Sequence, residues 1–205
     1  MIKTKEDLRH YLSVEKPFYQ GDMNSVLFWI LSHSPIVVHE SPELYKYVRT
    51  LRKTEYYINT GQKILGAMYK LRLRILQYRH GLALLENVFG PGLKIRHLAQ
   101  TRVSSAVKCG SNFTIYPFCS IGTGHDASPV IGDNVTVFSG ARVIGPIKLA
   151  NGIQVGANAV VTKSCDIENA VLAGVPAKLI KVAVGGGKHV VTNIKRIDVY
   201  EQKCA

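Results

Sequence analysis

Residues 131–178 read IGDNVTVFSGARVIGPIKLANGIQVGANAVVTKSCDIENAVLAGVPAK. A step of six through this stretch lands on Ile131, Val137, Val143, Leu149, Val155, Val161, Ile167 and Ala173. Further back, beyond a break, the same step finds Val103, Cys109, Ile115 and Ile121. Ten of these twelve positions are Val, Ile or Leu, so the step is no accident of composition. The residue four places on is again apolar or small: Val107, Phe113, Cys119, Val135, Ala141, Ile147, Ile153, Ala159, Cys165 and Val171. A helix needs spacings of three and four, and a hairpin sheet needs simple alternation. Even sixes fit neither. They fit a coil in which each unit is one short strand plus a tight corner. Three units then close a triangle, and each aliphatic residue points inward onto its counterpart one coil away. Gly, Asn and Asp supply the corners, including positive φ, as at Gly132–Asp133–Asn134 and Asn151–Gly152. Because one coil buries nothing alone, coils must stack. Residues 131–174 supply between two and three of them, and residues 103–122 at least one more. The break at 123–129 is longer than a corner and is expected to leave the prism as a loop, a common place for a site.

Outward from the repeat, the N-terminal part reads as helical, with segments at 6–12, 25–31, 43–57 and 62–79 and a cap at Ser41–Pro42. The chain therefore divides into a helical part (1–86), a β-helix (87–181) and a tail (182–205). The tail has a joint at Gly185–Gly186–Gly187 and an alternating stretch at 190–200 that reads as one strand.

The net charge is +12, and its distribution matters more than its sum. Between 46 and 79 there are nine Lys or Arg and one acid, Glu55. Tyr45, Tyr47, Tyr56, Tyr57, Tyr69 and Tyr78 interleave with them at near-helical spacing. The expectation is a helical pair with a basic outer face, either merely solvated or used for an anionic acceptor or a membrane surface. No nucleic-acid-binding motif is present, so no nucleic-acid partner is expected. The most apolar run, 26–38, is broken by Ser32, His33, Ser34 and Pro35, and no apolar segment follows the N-terminal charges. A cytoplasmic protein is expected. Cys109, Cys119, Cys165 and Cys204 form no C-x-x-C pair and fit no zinc spacing, so no metal is expected. The first three fall on inward positions and read as small buried thiols.

The repeat together with AGVPAK (173–178) resembles the hexapeptide-repeat acyltransferases. NVFGPGLKIRH (87–97) is similar to a segment of the serine O-acetyltransferase group, closest to the branch found with capsule and exopolysaccharide biosynthesis. RKTEYY (52–57) resembles the helical segment of that branch. The resemblance covers most of residues 45–181. It implies a mainly β chain with an α-helical N-terminal part, coiled as a left-handed parallel β-helix. It also implies a homotrimer with acetyl-CoA in the groove between adjacent prisms, and it leaves open whether trimers stack into a hexamer. Acetyl transfer would be direct, in a ternary complex without a covalent enzyme intermediate.

Such chemistry needs a base for the acceptor hydroxyl, and imidazole suits it because its pKa lies near working pH. His97 falls where the family's catalytic His follows the G-x-G-[LI] segment. His125, in the extruded loop, is the rival, and Asp126 or Glu86 is the expected orienting acid. For the donor, Ser139 and Ala157 match positions that meet the pantetheine arm. Thr162 and Lys163 match a pair near the nucleotide end, and Lys178 and Lys181 match basic residues that meet CoA phosphates. Two departures bear on the acceptor. Arg96 stands where serine acetyltransferases carry an Asp, and their downstream Arg-His pair is missing from the loop His125–Asp126–Ala127–Ser128–Pro129. Tyr116 also stands where the polysaccharide-linked branch commonly has a second His. These weigh toward a sugar or glycan hydroxyl over serine, with a non-catalytic trimeric scaffold as the reading of another class.

Overall fold

The computed structural model describes residues 1–36, 39–123 and 127–183. The tail joint and the strand expected at 190–200 lie outside the described residues, as do His125 and Asp126. Four helices come first: α1 (Lys5–Gln20), α2 (Ser25–His33), α3 (Glu40–Asn59) and α4 (Lys63–His80). From Leu82 onward the chain coils about five times as a left-handed parallel β-helix.

The prism has three faces. The first stacks Leu82–Leu84, Thr101–Val103, Ser120–Gly122, Arg142–Ile144 and Val160–Val161. The second stacks Lys108–Cys109, Val130–Ile131 and Lys148–Leu149, extended by single bridges to Phe89 and Cys165. The third runs Lys94–Ile95, Thr114–Ile115, Thr136–Val137, Gln154–Val155 and Ala170–Ala173, and the antiparallel strand Lys178–Val182 closes it. The sixfold residues meet as expected: Val103, Ile121, Val143 and Val161 lie in register on the first face. On the third, Ile115, Val137 and Val155 do the same, and all seven are buried. Asn134 (φ 57°) and Gly152 (φ 72°) take the left-handed corner geometry that the sequence asks of them.

The register departs from strict sixes in two places. From Ile121 to Val143 one coil takes 22 residues where Val143 to Val161 takes 18, the extra residues falling between Gly122 and Val130. After Val161 the step fails: Cys165, not Ile167, bridges to Leu149, and Leu172, not Ala173, pairs with Val155. The last coil is shortened, and Ile167 is only half buried. Cys109 and Cys119 are buried free thiols. Cys165 is buried too but is not a free thiol.

In the helical part, α1 opens on a capping box. Thr4 Oγ1 accepts from the Asp7 N–H (3.0 Å), and Asp7 Oδ2 accepts from the Thr4 N–H (2.9 Å). It continues past the expected end at 12 because Tyr11, Glu15 and Tyr19, four apart, form one buried face. α3 begins at Glu40, with His39 Nδ1 accepting from the Ser41 N–H (3.3 Å). The cap is thus His39 rather than Ser41, and Pro42 sits in the first turn, where its missing N–H leaves no helical bond unmade.

The expected basic face is divided. Lys46 is buried, held by Glu43 Oε2 at 2.6 Å, and Glu43 Oε1 also meets His80 Nε2 at 2.9 Å. Arg52 is wholly buried between Glu15 (2.6 Å) and Glu55 (3.0 Å). Only the cations of α4 remain a solvent-facing set, namely Lys63, Lys70, Arg72, Arg74 and Arg79. Burial works against the Arg52 charge, but Glu55 and Glu15 outweigh it and hold the proton more firmly than usual.

Arg52 also ties the helices to the coil. Its guanidinium donates to the carbonyls of Phe89 (3.0 Å) and Gly90 (2.7 Å). Glu55 Oε1 accepts from the Asn87 N–H (2.8 Å), and Glu15 Oε1 from the Leu93 N–H (3.1 Å). Tyr19 donates to the Leu93 carbonyl (3.0 Å) and accepts from the Ile95 N–H (2.9 Å). The two motifs RKTEYY and NVFGPGLKIRH are therefore halves of one joint, and that joint delivers His97 to its place.

Candidate active site

The third and first faces meet along one edge, which the chain crosses at 96–100, 116–119, 138–141 and 156–159. The backbone ladder aligns these crossings. Arg96 N–H donates to the Ile115 carbonyl (3.0 Å), Tyr116 N–H to Val137 (2.9 Å), Phe138 N–H to Val155 (2.9 Å) and Gly156 N–H to Leu172 (2.7 Å). The Asn158 N–H reaches the Ser139 carbonyl at 2.9 Å, so the Ser139 and Ala157 corners stack directly. His97 follows Arg96 and therefore sits on this same edge. Coils lie about 4.8 Å apart, which puts Ser139 about two coils and Ala157 about three coils from His97.

His97 Nδ1 meets Glu40 Oε2 at 3.1 Å, while Glu40 Oε1 accepts the Leu98 N–H at 2.6 Å. One carboxylate thus grips both the ring and the backbone beside it. Burial pushes the Glu40 carboxyl up, but the Leu98 N–H and the His97 ring outweigh it and hold the group below its ordinary value. A carboxylate only accepts, so Nδ1 carries a proton, and in the neutral ring the lone pair is on Nε2. The His97 side chain is 60% exposed, which leaves that lone pair open to a second reactant. Among the described residues it is Glu40, not Glu86, that bonds the His97 ring, and Asp126 lies outside them. No sequence signal marks Glu40, because it lies 57 residues before its partner in another element.

Around His97 the edge is aromatic and cationic. Arg96 lies over the rings of Phe18 (5.0 Å) and Tyr116 (5.7 Å), and Tyr116 stacks on Phe138 at 4.9 Å. Phe118 takes a left-handed φ of 63° at the corner level where Gly140 and Asn158 take it one and two coils on. A bulky residue there is strained, and its ring is mostly exposed on this edge.

The other expected residues divide between two edges. Lys178 is exposed beside Ala173 at the end of the third face, close to the edge of Ser139 and Ala157. Lys181 pairs with Val171 farther along the strand and is half buried. Thr162 and Lys163 are exposed on the next edge, where first and second faces meet, a full face away. In sequence, His125 and Asp126 fall between the strands that flank that second edge, Ser120–Gly122 and Val130–Ile131, and lie outside the described residues. Within one chain, then, His97, Ser139, Ala157 and Lys178 belong together, and Thr162 and Lys163 do not join them.

No family model matches the chain. Among curated proteins it is similar to the serine acetyltransferase of Mycobacterium tuberculosis, 35% identical over 97 residues, which are 45% of this chain and 42% of that protein. The serine acetyltransferase of Staphylococcus aureus strain Mu50 is also 35% identical, over 96 residues covering 45% of each. That of Buchnera aphidicola subsp. Schizaphis graminum is 29% identical over 112 residues, 52% of this chain and 42% of that protein. The chain thus spans less than half the length of these relatives. Among solved structures, soybean serine acetyltransferase apoenzyme superposes with a TM-score of 0.67 at 20% identity, covering 86% of this chain and 70% of that one. A serine acetyltransferase complex with CoA gives 0.65 at 19% identity, covering 86% and 71%. The Neisseria gonorrhoeae serine acetyltransferase gives 0.66 at 18%, covering 96% and 72%. At such identities the structures establish a common fold.

Proposed function

We propose that this chain is an acetyl-CoA-dependent O-acetyltransferase and that its acceptor is serine or a similar small hydroxyl compound. One observation carries the reading: an imidazole with its tautomer set by Glu40 stands on the same prism edge as the stacked Ser139 and Ala157 corners. The relatives' names support acetyl transfer, and they favour serine over the sugar hydroxyl that Arg96 argues for.

The geometry supports the following roles. His97 Nε2 takes the acceptor's hydroxyl proton as the oxygen bonds to the acetyl carbonyl carbon. The carbon–sulfur bond then breaks, and the departing thiolate takes the proton back from the imidazolium. Glu40 stabilises that imidazolium while it exists. The pantetheine arm runs along the Ser139–Ala157 corners, and Lys178 lies toward its phosphate end, with Lys181 on the same strand. Thr162 and Lys163 lie a face away, so they reach the same molecule only from an adjacent copy. That supports a trimer with the donor bound in the groove between prisms. The second reading, a sugar or glycan acceptor, draws on Arg96, Tyr116 and Phe138. An arginine offers an amino acid's ammonium group no counter-charge, whereas stacked aromatic rings suit a sugar face.

Free-thiol release from acetyl-CoA tests this, with L-serine against nucleotide sugars and oligosaccharides and His97→Ala beside the wild type. Serine turnover that disappears in His97→Ala supports the first reading. Turnover with carbohydrates alone moves the chain to glycan modification, and failure to bind acetyl-CoA at all moves it to the scaffold reading.

A further inference from the structure

α4 (Lys63–His80) contains no acidic residue and presents three distinct surfaces. Gly66, Leu73 and Leu76 are buried against the rest of the chain. On the opposite side Ile64, Met68, Leu71, Ile75 and Tyr78 are all more than half exposed, from 58% at Ile75 to 83% at Tyr78. Successive helical residues are about 100° apart, so spacings of four and three keep these five within an arc of about 80°. Cations border the stripe on both sides, Arg72 and Arg79 along one margin and Lys63, Lys70 and Arg74 along the other, and all five are exposed.

Single exposed apolar residues need no explanation, but a continuous stripe opposite the core face does. A merely solvated face would not hold five large apolar side chains in line. A second copy packed stripe to stripe would set cations against cations at both margins, which is unfavourable. An anionic lipid surface meets both features. The stripe enters the boundary of the acyl chains, and the bordering lysines and arginines lie along it and reach up to the phosphates. We propose that α4 is an interfacial helix that docks the protein on an anionic membrane surface. No helix among the described residues is long and apolar enough to cross a membrane, so the attachment is peripheral. The inference stands independently of the acetyl-transfer reading.

The test is co-sedimentation of the full chain with phosphatidylcholine vesicles, with and without phosphatidylserine, across a salt series. The wild type should bind the anionic vesicles and release as salt rises. Leu71→Ser with Ile75→Ser should weaken binding by more than about tenfold, since two large side chains no longer leave water. Lys70→Gln, Arg72→Gln and Arg74→Gln should each cost about fivefold and together flatten the salt dependence. All these positions face solvent, so an unchanged thermal melt confirms that each variant folds, and thiol release reports acetyl transfer separately. The proposal is overturned by absent binding, by equal binding to uncharged vesicles, or by unchanged binding of the Leu71→Ser, Ile75→Ser variant. It is also overturned if that variant breaks up a wild-type assembly, or if α4 binds an acidic amphipathic peptide but no vesicle, since the stripe then belongs to a protein contact.

Discussion

In the helical part, Glu15, Glu43, Lys46, Arg52 and Glu55 are all buried, each bonded to a partner. In the coils, the buried side chains are apolar, with only Thr101 and Thr114 as buried polar side chains among the described residues. The contrast has a physical cause. In the coils each backbone group meets its equivalent one turn away, so a ladder satisfies every strand and the interior is left to apolar stacking. Where the helices meet the first coil no repeat exists. The carbonyls of Phe89 and Gly90 and the N–H groups of Asn87 and Leu93, buried or half-buried, find their partners in Arg52, Glu55 and Glu15. One region is specified by repetition, the other by a unique charged joint. The candidate active site straddles the two, because His97 belongs to the coil and Glu40 to α3.

The severest test of that straddling site is His97→Ala, which should lower acetyl transfer by about 10²- to 10⁴-fold while acetyl-CoA binding persists by equilibrium dialysis. An equally active variant would move the base to another residue and detach the site from the joint. Next, Arg52→Ala should cost about 3–5 kcal/mol in chemical denaturation, because two buried carboxylates lose their counter-charge. Replacing Arg52, Glu15 and Glu55 together by apolar residues should not restore stability here, since the four backbone groups would stay unpaired. Full recovery in that triple variant would break the proposed contrast. Within the coils, Ile115→Ala should cost about 2–5 kcal/mol through the cavity it leaves between Ile95 and Val137. Hydrogen exchange should show that loss centred on the third face and the Arg52 loss centred on residues 87–95.

Glu40→Gln is smaller in effect. The amide cannot accept from both His97 and Leu98, so the imidazole loses its enforced tautomer. The rate should fall by about tenfold with little change in melting temperature. The smallest effect concerns Cys119, whose thiol burial pushes from 9.0 up to about 11. Between those values the folded chain keeps a proton that the unfolded chain has released. The Cys119 share of stability should therefore be complete below pH 9 and decline as pH rises toward 11, and Cys119→Ala should lessen the wild-type slope there by no more than one proton, the remainder belonging to Cys109 and the buried tyrosines, which burial also pushes up.

Much of the coil was legible from residues alone. Val137, Val143, Val155 and Val161 stack where the step of six puts them, since a corner and a short strand are decided within six residues. The step misled at Ile167 and Ala173, because the final coil caps the prism and is shortened before the chain turns back at Lys178. The basic run from Lys46 to Arg79 misled for another reason. Counting charge does not reveal that Glu15, in α1, and Glu43 turn two of those cations inward. Of the candidate site, His97 was legible through the segment that precedes it. Glu40 was not, nor was the ring of Phe18 beside Arg96, because both come from helices far off in sequence.

By itself, then, the sequence determined the coil and its corners, since periodicity is a local property that each unit states again. Only the tertiary structure decided which acid holds His97, which cations are buried, and which edge of the prism gathers Ser139, Ala157 and Lys178. Those outcomes depend on single contacts between unlike segments, and a contact made once leaves no period to read.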